Sequence, residues 1–149
     1  VPGRCPDLFK EIGPGGCCYH FSEEIIGWSE ARNRCHEFGE LYGMTIHLLE
    51  LGTNTTCCND LEVMDAIASH GHNIWLGASD ISEEGKWMWQ HSSEPLSLSS
   101  TLWERDCPNG GTGQNCLIAW VLLENNRRAY LADEPCTNHE YHYVCQIFN

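Results

Sequence analysis

Basic residues are scarce. Eight lysines and arginines stand against 21 aspartates and glutamates, for a formal net charge of −13. So few cations disfavour nucleic acid and anionic membrane as partners, while cations, neutral sugars and basic protein surfaces stay open. No apolar run reaches the roughly 18 residues of a membrane-spanning helix, so no membrane insertion is expected. There is no internal repeat, low-complexity run or linker, and 1–149 reads as one domain. A Gly-x-Ser-x-Gly elbow, a phosphate-binding loop and paired catalytic carboxylates are also missing, so no enzyme is expected. The first residue is Val1 rather than Met and no signal peptide is present, which reads as a mature secreted, extracellular chain.

Cysteine, by contrast, is abundant: Cys5, Cys17, Cys18, Cys35, Cys57, Cys58, Cys107, Cys116, Cys136 and Cys145. An even number fits disulfides and an oxidising compartment. Cys17-Cys18 and Cys57-Cys58 are adjacent pairs rather than CxxC pairs, which speaks against structural zinc. Asn54-Thr55-Thr56 is a glycosylation sequon at Asn54. The eight histidines include His70 with His72 and His139 with His142, but neither pair has further ligands at a recognisable spacing. They read as scattered surface residues.

Periodicity gives the elements. "CCYHF" reads as a short strand. From Trp28, residues Ala31, Cys35, Phe38 and Tyr42 recur at helical spacing, and Gly43 is a stop. A second helix is predicted from Asn59, with Glu62 as capping partner, Leu61, Met64 and Ala68 on its buried face, and its end at His70-Gly71. The segment around Gly52 to Thr56 looks like a loop. "NIWLGAS", "KWMW", "CLIAWVLL", "RRAYLAD" and "YHYVCQI" read as strands. Between Gln90 and Asn115 little periodicity remains, and so long an irregular segment in a compact domain is expected to be either functional or disordered. The class is α+β.

In order along nearly the whole chain, these segments resemble a C-type lectin-like domain. "CPDLFKEIGPGGCCYHF" is similar to the N-terminal hairpin of the family's long form. "WSEARNRC" is similar to its first helix, "WLGASD" to its central strand and "EGKWMW" to the strand before its long loop. "CLIAW", "LADEPC" and "YHYVCQ" are similar to its last strands. The resemblance implies a disulfide-rich α+β fold with two helices flanking antiparallel sheets. It implies the bridges Cys35–Cys145, Cys116–Cys136 and Cys5–Cys18, the last chosen over Cys17 because the family cysteine stands just before the Tyr-x-Phe strand. Cys17, Cys57, Cys58 and Cys107 remain, and a bridge between neighbours 57 and 58 would be strained. Cys107 is then expected to join Cys57 or Cys58, and Cys17 the one left over. Otherwise Cys107 stays a thiol or bridges a second chain. By the same resemblance, Trp103 and Trp120 are expected in the core rather than stacked on a sugar.

Sugar-binding members of this family hold a calcium ion whose ligands also bind two sugar hydroxyls. Calcium wants six to eight oxygens, with carboxylates supplying charge. In this chain Cys107-Pro108-Asn109 stands where the family has Glu-Pro-Asn, Gln114 where it has a second carboxylate, and Leu131-Ala132-Asp133 where it has Trp-Asn-Asp. Asn109 and Asp133 match, Gln114 is a neutral substitute, and two ligands are absent. A degenerate sugar-bridging site follows, and no cofactor is required. At a second family position Asp80 and Glu84 could hold calcium, whereas Gly110 and Asn115 replace its other acidic ligands. The expected function is a secreted recognition protein of innate immunity for a glycan or microbial surface, resembling single-domain invertebrate lectins. Its ligand contacts would be Glu104, Asp106, Asn109, Gln114, Asn115 and Asp133. The alternatives are a calcium-independent module for a protein ligand, or a mineral- or ice-interacting extracellular protein.

Overall fold

The computed structural model describes residues 5–12, 17–51, 60–96, 103, 107–108, 113–122 and 128–148. The elements are β1 (Lys10–Ile12), β2 (Cys17–Phe21), α1 (Trp28–Tyr42), β3 (Thr45–Leu48), α2 (Asp60–His70), β4 (Ile74–Ser79), β5 (Met88–Trp89), β6 (Cys116–Leu122), β7 (Arg128–Glu134) and β8 (His142–Phe148). The strands run in the order β1-β2-β8-β4-β6-β7, with β3 paired to β8 and β5 to β4.

The fold is α+β, and the sheet is mixed rather than purely antiparallel. β4 and β8 run parallel, with Ile74 opposite His142 and Trp75 opposite Tyr143. The long stretch of chain between these strands allows it, since parallel neighbours need a crossover and not a hairpin. All six residues of β4 are buried, as a strand covered on both faces requires.

Alternation along β4 and β6 sorts the core into two layers. Ile74, Leu76 and Ala78 join Leu117, Ala119 and Val121 against Val63, Met64 and Ile67 of α2. Trp75 joins Ile118, Tyr143 and Cys145 against Trp28, Ala31 and Cys35 of α1. Met64 and Ala68 are buried as predicted. α1 ends at Gly43, whose φ of 66° is the left-handed conformation that glycine adopts without strain. In β4, a Cβ on Gly77 would lie 2.9 Å from the Leu48 carbonyl oxygen, so only glycine lets that backbone approach.

Disulfides lock the layers. Cys5–Cys18, Cys35–Cys145 and Cys116–Cys136 form as the resemblance implied. Cys17 is also disulfide-bonded. Cys57 and Cys58 lie outside the described residues, and so does the expected stapling of Cys107 to one of them.

Candidate functional site

Three strand ends meet at one side of the sheet. At the end of β4, Ser79 pairs with Cys116 of β6, and the Asp80 amide donates to the Asn115 carbonyl at 3.2 Å. On β7, Asp133 lies opposite Leu117 and Glu134 opposite Cys116. Asp80, Asn115 and Asp133 are thus brought to the same edge by register, with Cys116–Cys136 pinning the strands beside them. Asp80 is 3% exposed and Asp133 5%. Asp80 Oδ2 accepts the Gly85 amide at 2.9 Å, which closes the turn after β4. Its Oδ1 is buried with no hydrogen-bond partner among the described residues, and the Oδ1 atoms of Asn115 and Asp133 are buried as well.

Glu84 reaches the surface above this edge. Its carboxyl is held above the ordinary range by lost hydration, then by its hydrogen bond with Asp80 and the negative charges of Asp80 and Asp133. Two carboxylates this close to one another are candidate ligands for a cation. Among the described residues, however, no three of His, Cys, Asp and Glu are already grouped to hold a metal ion.

No protein-family model matches the sequence. A perlucin-like protein of Mytilus galloprovincialis is 24% identical over 145 residues, 97% of this chain and 84% of the relative. A C-type lectin mannose-binding isoform of Notechis scutatus scutatus is 27% identical over 146 residues, 95% of this chain and 82% of the relative. The C-type lectin domain of murine dendritic cell inhibitory receptor 2, solved in complex with an N-glycan, matches at a TM-score of 0.71 and 23% identity, covering 97% of this chain and 99% of that one. The chain has the C-type lectin-like fold and is similar in sequence to C-type lectins along nearly its whole length. It is a binding domain and not an enzyme. Of some other curated relatives it spans only about half the length.

In this C-type lectin-like fold the loop residues Glu104, Asp106 and Asn109 lie outside the described residues, as does the sequon at Asn54. Gln114 and Asn115 are half-buried at the start of β6. Cys107 is half-buried and packs against both core layers, so the position where the resemblance implied a ligand carboxylate faces inward. Ala132 is buried next to Asp133 and has no side-chain oxygen. Trp103 is core as expected, 7% exposed with its ring edge-on to Trp87 at 5.5 Å.

Trp120 is not core: it is 39% exposed. It shares its face of β6 with Cys116 and Ile118, but α1 packs over β3, β4 and β8 and leaves that end of β6 uncovered. An unbroken apolar run gave no sign of which residue would face out.

The histidines are not scattered either. His36, His47 and His91 line one cavity, and His20, His70, His72 and His142 line another. Burial first, then the neighbouring imidazoles His91 and His36, lowers His47 to about 4. Between about pH 6.5, where a free imidazole titrates, and about pH 4, the unfolded chain holds a proton at this position that the fold refuses. The His47 contribution is thus intact above pH 6.5 and is lost as pH falls toward 4. His70 and His91 are lowered in the same sense. The raised carboxyls of Glu50 and Glu84 work the opposite way, so the His47 part must be isolated by substitution. The full shift would correspond to about 3 kcal/mol, and with His47 only half-buried about 1–2 kcal/mol is expected. Urea unfolding of chelator-treated protein at pH 7 and pH 4 should show that loss, and His47→Gln should lessen it by the same amount. An equal pH dependence in the variant would remove His47 as the cause.

Proposed function

We propose that this C-type lectin-like domain is a secreted, extracellular, single-domain recognition protein that binds a glycan of a microbial surface without a sugar-bridging calcium. The observation that carries this reading is the replacement of ligand oxygens at the loop base. Cys107 packs into the core, Ala132 offers no oxygen, Gln114 is neutral, and Asp133 is the one carboxylate of that set. A hard dication needs several anionic oxygens, so the residues present do not fit it there. Calcium fits better one step away, where Asp80, Glu84 and Asn115 would hold it and the buried Oδ1 of Asp80 awaits a partner. When bound there, calcium would neutralise the acidic strand ends, while Gln114, half-buried beside them, would stay available to sugar hydroxyls from the same edge.

A glycan array probed in calcium and again in excess chelator tests this. Binding to a restricted set of glycans should persist within about twofold after chelation, whereas complete loss in chelator would contradict the metal-independent mode. A protein ligand is the second reading, favoured by Trp120 and Leu122, which β6 presents to solvent. An array with no bound glycan would select it.

A further inference from the structure

We propose that His36 and His47 form a binding site for a borderline transition-metal cation of the zinc or copper class. His36 stands on α1 and His47 on β3, and their Nε2 and Nδ1 atoms face each other at 2.9 Å. Two ligands of a tetrahedral ion at 2.0–2.1 Å lie about 3.3 Å apart, so a small parting of the rings admits the ion. One imidazole now donates to the other. To expose both lone pairs, the donor ring moves its proton to its other nitrogen, and binding then needs no net proton loss. Imidazole selects Zn, Cu and Ni and leaves calcium to oxygen ligands.

The surroundings suit a cation. The pair opens on a cavity of about 210 Å³ that is also lined by Glu50, Gln90 and His91, with room for the waters that complete the shell. Glu50 is 1% exposed. Its carboxylate accepts the amides of His91 at 2.7 Å and Ser92 at 3.3 Å, which anchors the segment carrying His91. The His91 ring stacks on His47 with centroids 4.0 Å apart, which fixes the orientation of a ligand from behind. The guanidinium of Arg32, also on the cavity wall, lies 5.4 Å from the centre of the Trp28 ring. The net charge of −13 favours cation entry.

The second histidine group lacks this convergence. There His142 Nδ1 is turned to the Ser22 carbonyl, His20 Nδ1 to the Leu8 carbonyl, and His70 stacks on Phe21.

The test is calorimetric titration of chelator-stripped protein with Zn²⁺ at pH 7 in the presence of millimolar Ca²⁺. Saturable binding is expected, weakened at least tenfold by His36→Gln and by His47→Gln and unchanged in the double variant His72→Gln, His142→Gln. His36 is exposed on α1, so its variant should fold, which thermal unfolding checks. Absence of saturable binding, undiminished affinity in His36→Gln, or a loss confined to the His72 and His142 variant each overturns the proposal.

Discussion

Replacing Cys35 and Cys145 together with alanine should cost this fold about 5 kcal/mol, the largest effect expected from removing any one of the three disulfides described above. The bond joins the middle of α1 to β8 across a sequence separation of 110 residues. In the chain-entropy model, opening a loop of that length releases roughly 5 kcal/mol of unfolded-state freedom. The separations for Cys116–Cys136 and Cys5–Cys18 are 20 and 13, which give about 3 kcal/mol each on the same reckoning. Both Cys35 and Cys145 are fully buried between Trp28, Ile46 and Tyr143, so the alanines also leave a small void. For a chain of this size a loss of 5 kcal/mol lowers the midpoint by roughly 10–20 °C. Thermal unfolding of the three double-alanine variants measures the order directly. If removing Cys5–Cys18 proved as damaging as removing Cys35–Cys145, loop length would not be what governs these bonds.

Much of this scaffold was legible where a single local rule decides. α1 was readable because Ala31 and Cys35 repeat at one helical face and Gly43 supplies the left-handed end. β3 was not. Thr45–Leu48 follows α1 after two residues, and only Ile46 and Leu48 alternate inward against Thr45 and His47. Four residues are too few for the period to show, and β3 exists because β8 offers it a free edge. Trp120 misled for a related reason. In "CLIAWVLL" every residue is apolar, so the inward set can only be read from what covers each face.

The candidate sites divide in the same way. Asp80 and Glu84 were visible as two carboxylates flanking one turn. Their neighbour Asn115 enters through a backbone hydrogen bond between strand ends, and Asp133 through the β6–β7 register. The family motif already named both residues, but that they meet beside Asp80 does not follow from spacing along the chain. Burial of Cys107 is likewise a property of the packed layers, although its missing oxygen was plain in the sequence. His36, His47 and His91 come from three separate elements, and only the pairing of β3 with β8 and the anchoring of residue 91 by Glu50 bring them to one cavity. No sequence motif marks such a meeting.

The same dependence on tertiary contacts sets the second large effect, Trp75→Ala, which should destabilise the domain by about 4–6 kcal/mol. Trp75 is fully buried in the middle of the sheet, and its ring meets Tyr141 edge-on at 5.1 Å. Truncating a buried tryptophan removes about 3–5 kcal/mol through lost transfer energy and the cavity left behind. A polar loss adds to this. The Trp75 indole donates to the Ile26 carbonyl at 2.8 Å, while the Trp28 indole donates to the Leu76 carbonyl at 2.9 Å. Two tryptophans thus tie the same two segments, 26–28 and 75–76, in opposite directions. Without its donor, the Ile26 carbonyl keeps the strand-like bond from the Tyr141 amide but loses its second partner, at roughly 1 kcal/mol. Trp75→Phe separates the two contributions, since phenylalanine keeps most of the buried ring and cannot donate. Denaturant unfolding should place Trp75→Phe about 1–2 kcal/mol below wild type and Trp75→Ala well below that. The double variant Trp28→Phe, Trp75→Phe should lose less than the sum of its parts, because each indole holds the segment that positions the other. Strict additivity would mean that the two hydrogen bonds act independently and that the start of α1 is fixed to β4 by apolar contact alone.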